Sequence, residues 1–445
     1  MQAMRKAEKE TKKKVCIGQI IGSTFFEQIK TDPETSKYAV YQQMANGTWN
    51  LTTKHTVEQF TPMPITPLTH PSKPEEYTSE KQLYKDVKNY VYKHLDIPNP
   101  LGFDVLTAFI FSTWISELFD FTPYLGFYGR ESVGKTRALE ILNELCFRAW
   151  FTTGLTKATL FRLVERFNPT LLLDESEFLT AKDKKELNNL LNAGQRRGIY
   201  VPRMKGENSE DVGFYSVYCP KILSGTAELK KTTTSRMIMF TMTRNVRPIP
   251  RRINKKEGLK LRNQLLLWRF HKIAQLKNSF TLKEKLSLTE LKATTKYKEL
   301  EPLDGRTYEL FYPLYYSAPI DKNNILQFAK ELEQTKLRTE QTGLANSVFE
   351  AILNLKDETR KGMLLLKDIA NYINKEQDEQ FLITNRRIGT TCTQMGLEKV
   401  RTKRGTAILL NSMILERLRH DPRYTTLLSY DSEENEQNEG KGRTL

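Results

Sequence analysis

Cysteine and histidine are scarce in this 445-residue chain, and neither is clustered. Cys16, Cys146, Cys219 and Cys392 form no C-x-x-C pair, and His55, His70, His94, His271 and His420 are equally scattered. Neither a disulfide framework nor a zinc ribbon is therefore written here, and no structural metal is expected. Long apolar runs are missing too. The longest uncharged apolar stretch, Val105 to Ser116 between Asp104 and Glu117, falls short of the roughly 20 residues that cross a bilayer. The charged start, Met1 to Lys14, has no apolar core and does not read as a secretory signal. The expectation is a soluble, cytoplasmic protein with no membrane partner.

What is there is charge, mostly of one sign. Sixty-nine Lys and Arg against 53 Asp and Glu give a net charge of +16, while 39% hydrophobic residues supply enough apolar mass for real cores. The excess is uneven. Lysine and arginine far outnumber acids from Arg244 to Lys298. A second cluster holds Arg386, Arg387, Lys399, Arg401, Lys403 and Arg404, with Glu398 the one acid near it. A single basic run usually marks a solvated helix face; two in so basic a chain point toward a polyanion, with a phosphate backbone the first candidate.

The pattern divides the chain into six segments. Residues 1–61 read as a small β-rich domain, with strands around Tyr38–Tyr41 and Thr48–Thr52 flanking the hairpin signal Asn46-Gly47. Five prolines between Pro62 and Pro74 mark a linker over 62–76. Over 77–243, two leading helices precede alternating apolar strands and amphipathic helices, the signature of an α/β layer fold. The second leading helix, 103–119, is apolar on nearly every face and should be buried. Residues 244–343 read as a basic helical lid. In 344–420, three helices and a basic hairpin form a winged helix, and 421–445 is an acidic tail expected to be disordered.

Within the α/β segment, Gly129-Arg-Glu-Ser-Val-Gly-Lys-Thr136 fills G-x-x-x-x-G-K-T completely, between a strand (Tyr124 to Tyr128) and a helix with apolar residues at i, i+3, i+4 and i+7. Glycines there let the backbone N–H groups of Gly129, Arg130, Glu131, Ser132, Val133 and Gly134 face phosphate oxygens. Lys135 would reach the β- and γ-phosphates and Thr136 would ligate Mg²⁺. A second element, Leu171-Leu-Leu-Asp-Glu175, ends a buried strand in two acids 39 residues after Lys135. Asp174 is placed to hold Mg²⁺ and Glu175 to polarise the attacking water. ATP and Mg²⁺ are the expected cofactors.

Together with Leu-Asn-Ala-Gly-Gln-Arg-Arg-Gly198 and Thr-Ser-Arg236, these motifs resemble AAA+ ATPases of the helicase branch. The resemblance is to the ATPase domain found beside phage and plasmid primases and in archaeal mobile elements, related to the minichromosome-maintenance helicases. It covers about 123–243 strongly, weakens over 75–122 and 244–420, and does not extend to the first 60 residues. It implies a sensor-1 role for Thr226, with Ser224 as the alternative. It also implies an arginine finger at Arg236, acting on a neighbour's γ-phosphate, and a channel-lining hairpin over 199–218 with Arg203 and Lys205 as backbone grips. Arg262 and Arg269 both remain open as the sensor-2 arginine. The family's zinc-binding N-terminal insertion is absent, and 154–160 is too short for its extra hairpin.

From the residues themselves, 366–375 and 385–395 fit the last two helices of a helix-turn-helix, with Arg386, Arg387, Thr390, Thr391 and Gln394 as polar positions and Ile388, Cys392 and Met395 packing inward. Arg401, Lys403 and Arg404 would be wing cations on phosphate. The expectation is an ATP-dependent DNA motor: a ring-forming helicase or translocase, hexameric, serving replication of a mobile element on single-stranded or forked DNA, with a primase as a possible associate. The alternatives are an ATP-switched replication initiator that binds duplex without unwinding it and, in third place, an AAA+ ATPase with a protein partner.

Overall fold

The computed structural model describes residues 14–32, 34–64, 66–152, 157–174, 191–204, 212–226, 234–279, 295–341, 343–359, 362–375 and 382–420. They divide into two compact units between Ala329 and Lys330. Glu175, Lys205 and the acidic tail lie outside the described residues.

The first unit opens with β1 (Lys14–Val15), β2 (Gly18–Ile21), β3 (Thr24–Lys30), β4 (Ser36–Gln43), β5 (Trp49–Lys54) and β6 (Phe60–Thr61). Strands β2 to β5 form an antiparallel meander, and β1 pairs with β6 in parallel. The Asn46-Gly47 turn appears where expected: Gly47 has φ 84°, and the Asn46 side chain accepts from the Thr48 N–H at 3.0 Å. One face of this sheet is aromatic. Tyr41 stacks on Trp49, Phe25 packs tilted against both, and Tyr41 lies parallel to Phe270 with centroids 5.7 Å apart.

The proline-rich segment is fastened along its length. Thr69 N–H donates to Ala149 O at 2.9 Å, the His70 carbonyl accepts from Arg262 at 3.0 Å, and Ser72 N–H donates to Asn263 at 2.9 Å. It leads into α1 (Glu80–His94), capped by Ser79, and α2 (Gly102–Trp114). Every residue of α2 is buried, as its all-round apolar sequence requires.

The centre of the unit is a parallel sheet made of β7 (Tyr124–Tyr128), β8 (Ala149–Thr152), β9 (Thr170–Leu173), β12 (Lys221–Gly225) and β13 (Met237–Thr241). Its order is β13-β7-β12-β9-β8. Helix α3 (Lys135–Leu145) follows β7, and α4 (Lys157–Phe167) joins β8 to β9. The strands are near-continuous apolar runs, as strands covered on both faces must be. Between β9 and β12 the chain makes an antiparallel ribbon, β10 (Tyr200–Met204) with β11 (Val212–Ser216). After β13 come α5 (Lys255–Ser279), which packs on α1, α2 and α3, then α6 (Gly305–Ser317) and α7 (Lys322–Gln341), in which the division between units falls.

The second unit contains α8 (Leu344–Leu355), β14 (Met363–Leu365), α9 (Leu366–Asn374), α10 (Asn385–Gln394), β15 (Lys399–Thr402), β16 (Gly405–Leu409) and α11 (Ser412–Arg419). Val348, Ile352, Ile369, Ile388, Cys392 and Ile408 are its fully buried centre. Three antiparallel strands in the order β14-β16-β15 close one side. Among the described residues no helix is long and apolar enough to cross a membrane.

Candidate functional site: a glycine-bearing loop facing a buried aspartate

Strand β7 delivers the chain at the C-terminal edge of the sheet, where the backbone must turn sharply to start α3. Three residues take positive φ to do so: Gly129 (155°), Ser132 (61°) and Gly134 (91°). A Cβ on Gly129 would lie 2.5 Å from the Met242 carbonyl, so a side chain there is excluded by contact as well as by conformation. Gly134 caps α3, whose first turn contains no acid, leaving its N–H groups and dipole available to an anion. The Lys135 ammonium folds back onto the loop, donating to Gly129 O at 2.8 Å and Arg130 O at 2.9 Å.

Asp174, the residue after β9, emerges at the same edge and is 7% exposed. Its carboxylate accepts from the Thr136 hydroxyl at 2.9 Å on one oxygen and from the fully buried Ser224 hydroxyl on the other. Strand β12 makes this possible. It lies between β7 and β9, pairs with both, and so brings Ser224 alongside the end of the acid strand. Thr226, one residue beyond β12, is exposed at this edge. Ser224, the alternative sensor-1 candidate, is hydrogen-bonded to Asp174.

A cleft of about 530 Å³ opens beside the loop, between Leu95 and Asp96 at the end of α1, Ser132 to Gly134, Arg137, and the 244–251 segment. Arg137 holds that segment in place by donating to Pro250 O at 2.7 Å and Arg251 O at 3.3 Å. Arg247 ion-pairs with Asp96 at 3.0 Å and lies 3.8 Å over the Tyr92 ring. Reading the basic 244–298 stretch as one surface missed this wall. Its sequence signal is the Pro-rich turn Val-Arg-Pro-Ile-Pro250, which ends the strand run beside the phosphate loop.

Arg262 and Arg269 do not reach the loop. Arg262 donates to His70 O and pairs with Glu144 at 3.1 Å; Arg269 pairs with Glu117 at 2.5 Å and donates to Trp114 O. Both are under 10% exposed, tied inside the helical layer. Arg236 directly precedes β13, whose first residue pairs with Tyr124, so it sits at the N-terminal edge of the sheet. Five residues at about 3.3 Å each separate that edge from the loop by roughly 16 Å. Burial first, and then the charge of Arg306, hold the Arg236 pKa below its ordinary value.

Arg203 lies in β10, while its side chain, like all of Lys205, is outside the described residues. In the second unit Arg386, Arg387, Thr390 and Gln394 are exposed along α10, whereas Thr391 is buried and its hydroxyl donates to Arg387 O at 3.1 Å. Ile388 and Cys392 pack inward as expected, and Met395 is half-buried. Thr402 pairs with Gly405, leaving exposed Lys403 and Arg404 as the two-residue hairpin tip, with exposed Arg401 just before it.

No family model matches the chain, and no curated protein is similar to it. Among solved structures it is similar to one described as "SCCmec type IV Cch - active helicase", at 11% identity and a TM-score of 0.38, over 91% of this chain and 99% of that one. The NrS-1 C-terminal region gives 12% and 0.34 over 87% and 96%. The JCV helicase gives 13% and 0.23 over 62% and 65%. Likeness at these levels carries no argument about activity, which rests instead on the geometry of the site.

Proposed function

We propose that this chain is an AAA+ ATPase that acts as a motor on DNA, a ring-forming helicase or translocase of the kind that serves mobile-element replication. The observation that supports this best is the meeting of Thr136, Asp174 and Ser224 at the sheet edge that also carries the phosphate loop. A threonine next to a loop lysine, bonded to a strand-end aspartate, is the arrangement that phosphoryl transfer needs.

Lys135 would exchange its two loop carbonyls for β- and γ-phosphate oxygens, while N–H groups of residues 129–134 cradle the phosphates. Thr136 and Asp174 offer hard oxygen donors that suit Mg²⁺. Among the described residues no cluster of three or more His, Cys, Asp or Glu could hold a metal, but Mg²⁺ arriving on a triphosphate needs only one or two protein oxygens. When bound, that ion supplies neutralisation of charge developing on the phosphates. Glu175, next in sequence to Asp174, is the proposed base, and Ser224 or Thr226 would orient the attacking water. The basic cleft beside the loop is of a size to take base and ribose. Arg236, being at the far edge, would serve a neighbouring copy's phosphate.

Two features support a DNA partner. The second unit sets an exposed Arg386/Arg387 helix beside a hairpin tipped by Lys403 and Arg404, the form of a winged helix. The β10–β11 ribbon, with Arg203 and Lys205 as proposed grips, joins through Val217 to Pro220 directly to β12, the strand that carries Ser224. A change in nucleotide state felt at Ser224 would thus have a short path to the ribbon.

The deciding measurement is ATP turnover with and without single-stranded oligonucleotides. Turnover should rise with DNA and vanish in Lys135→Ala; a rate indifferent to DNA at low salt would sink the motor reading. The exposed cationic helix and hairpin also favour a second reading, an ATP-switched initiator. Site-specific duplex protection that needs ATP but survives Glu175→Gln would establish that one instead.

A further inference from the structure

The segment from Arg244 to Arg251, which follows β13, contains Pro248 and Pro250. Proline has no N–H and a fixed φ, so such a stretch gains little from backbone pairing and has to be held by side chains. Two arginines hold it. Arg247 donates to Asp96 Oδ1 at 3.0 Å, and Asp96 Oδ2 accepts from the Val246 N–H at 2.7 Å. The same guanidinium donates to the Tyr92 and Leu95 carbonyls and lies 3.8 Å over the Tyr92 ring. Arg137, in the first turn of α3, spans the His94, Pro250 and Arg251 carbonyls at 3.4, 2.7 and 3.3 Å.

These contacts answer a need of α1. The last carbonyls of a helix have no partner within it, and its dipole favours cations at that end. Arg247 and Arg137 bring both donors and charge to the end of α1, and in doing so fasten residues 244–251 to it as a strap. The cleft of about 530 Å³ is lined by this strap, by Leu95 and Asp96, and by Ser132 to Gly134. Its apolar surface comes from Leu95 and Val133 together with Ile249 and Pro250 of the strap. The position of the strap therefore sets the room available to a flat, largely apolar group held beside the loop. Arg137 is also next in sequence to Thr136, which ties the strap to the helix that begins at the loop.

We propose that Arg137 and Arg247 are positioning residues for the nucleoside half of the nucleotide: by pinning the strap to the end of α1 they shape the wall against which base and ribose rest. The phosphate half is left to the loop, Lys135 and Thr136. This rests on the reading of the chain as an ATPase. The two halves of the ligand then draw on separate parts of the fold, and each pin adds to nucleotide affinity while adding little to the chemical step. A contact made equally in the ground and transition states changes KM and not kcat.

The test titrates the full chain with magnesium ATP and with magnesium tripolyphosphate, which presents the same phosphates without a nucleoside, and measures kcat and KM for ATP in parallel. The wild type should bind ATP the more tightly. Arg247→Ala should weaken ATP about tenfold and raise KM by a similar factor, with tripolyphosphate affinity and kcat within about twofold of the wild type. Arg137→Met should show the same split. Arg247→Lys, which keeps the charge beside Asp96 but cannot span three acceptors, should show it to a smaller degree and serves where the alanine variant does not fold. An equal loss for both ligands, or unchanged ATP affinity in the folded variants, overturns the inference while leaving the ATPase reading intact. So does a wild type that binds the two ligands equally, because the cleft would then add nothing to nucleoside binding. A wild type that binds neither ligand and turns over no ATP overturns the ATPase reading itself.

Discussion

At the scale of single residues, the first unit buries titratable groups whose charge states are set by their surroundings. His70 is 8% exposed, its ring bonded to the Thr66 hydroxyl at 3.2 Å, and burial followed by the nearby Arg148 charge lowers its pKa to about 4. Lys30 and Arg262 press the same way. The unfolded chain takes up a proton on this imidazole near pH 6.5, whereas the folded chain resists until about pH 4. Stability from this site is therefore complete above pH 6.5 and drains away between pH 6.5 and 4. The expected loss is roughly 2 kcal/mol between pH 7.5 and pH 5. Urea midpoints at those two pH values should differ by less in His70→Gln than in the wild type. Equal differences would place the acid sensitivity elsewhere.

At the scale of elements, an ion pair ties the N-terminal sheet to the α/β layer, beside the apolar packing of Ile17 against Trp150 and Leu171. Glu27 in β3 is 2% exposed and takes two hydrogen bonds from Arg148, each 2.7 Å, while the same guanidinium donates to Phe167 O at 2.8 Å and Gly18 O at 3.2 Å. Taking away one partner strands a charge in a place that water does not reach. Glu27→Ala should cost about 3–5 kcal/mol, and Glu27→Leu combined with Arg148→Met should recover a large part of that. Denaturant titration of the three proteins reads the difference; a double variant as unstable as the single would show that the carbonyl contacts of Arg148 carry the joint.

This pair also shows which parts of the fold were legible in the sequence. The phosphate loop, the Leu-Leu-Leu-Asp strand, the all-apolar second helix and the Asn-Gly turn were readable because each is a local pattern with a local cause. Glu27 and Arg148 are 121 positions apart and look like two ordinary surface charges until the sheet is docked. Part of the basic 244–298 run was illegible for a related reason. Arg247, Arg262 and Arg269 find their partners at Asp96, Glu144 and Glu117, far back in the chain. Net charge along a sequence counts such arginines as surface. In the candidate site, the loop and the strand-end acid are local patterns, whereas the closeness of Ser224 to Asp174 follows from the register of β12 against β9, which no local pattern states.

At the scale of the whole molecule, the question is what completes the site. The loop, Asp174 and Ser224 gather at one edge of the sheet, and Arg236 stands at the other, roughly five residues of strand away. An arginine side chain does not span that distance within one chain. If Arg236 takes part in hydrolysis it does so on a neighbour, and a single copy has half of two different sites. Arg236→Ala should then bind nucleotide normally but turn it over at least 100-fold more slowly, in keeping with the 10³–10⁵-fold worth of such fingers. Lys135→Ala should fail to bind. Mixing the two inactive proteins creates interfaces with one intact loop and one intact finger, so activity should return, peaking near equal proportions and falling on dilution as the assembly separates. Mixtures that stay inactive at every ratio, under conditions where sizing shows mixed oligomers, would mean that Arg236 serves the fold at the sheet edge and that hydrolysis, where it occurs, is completed by residues of one chain.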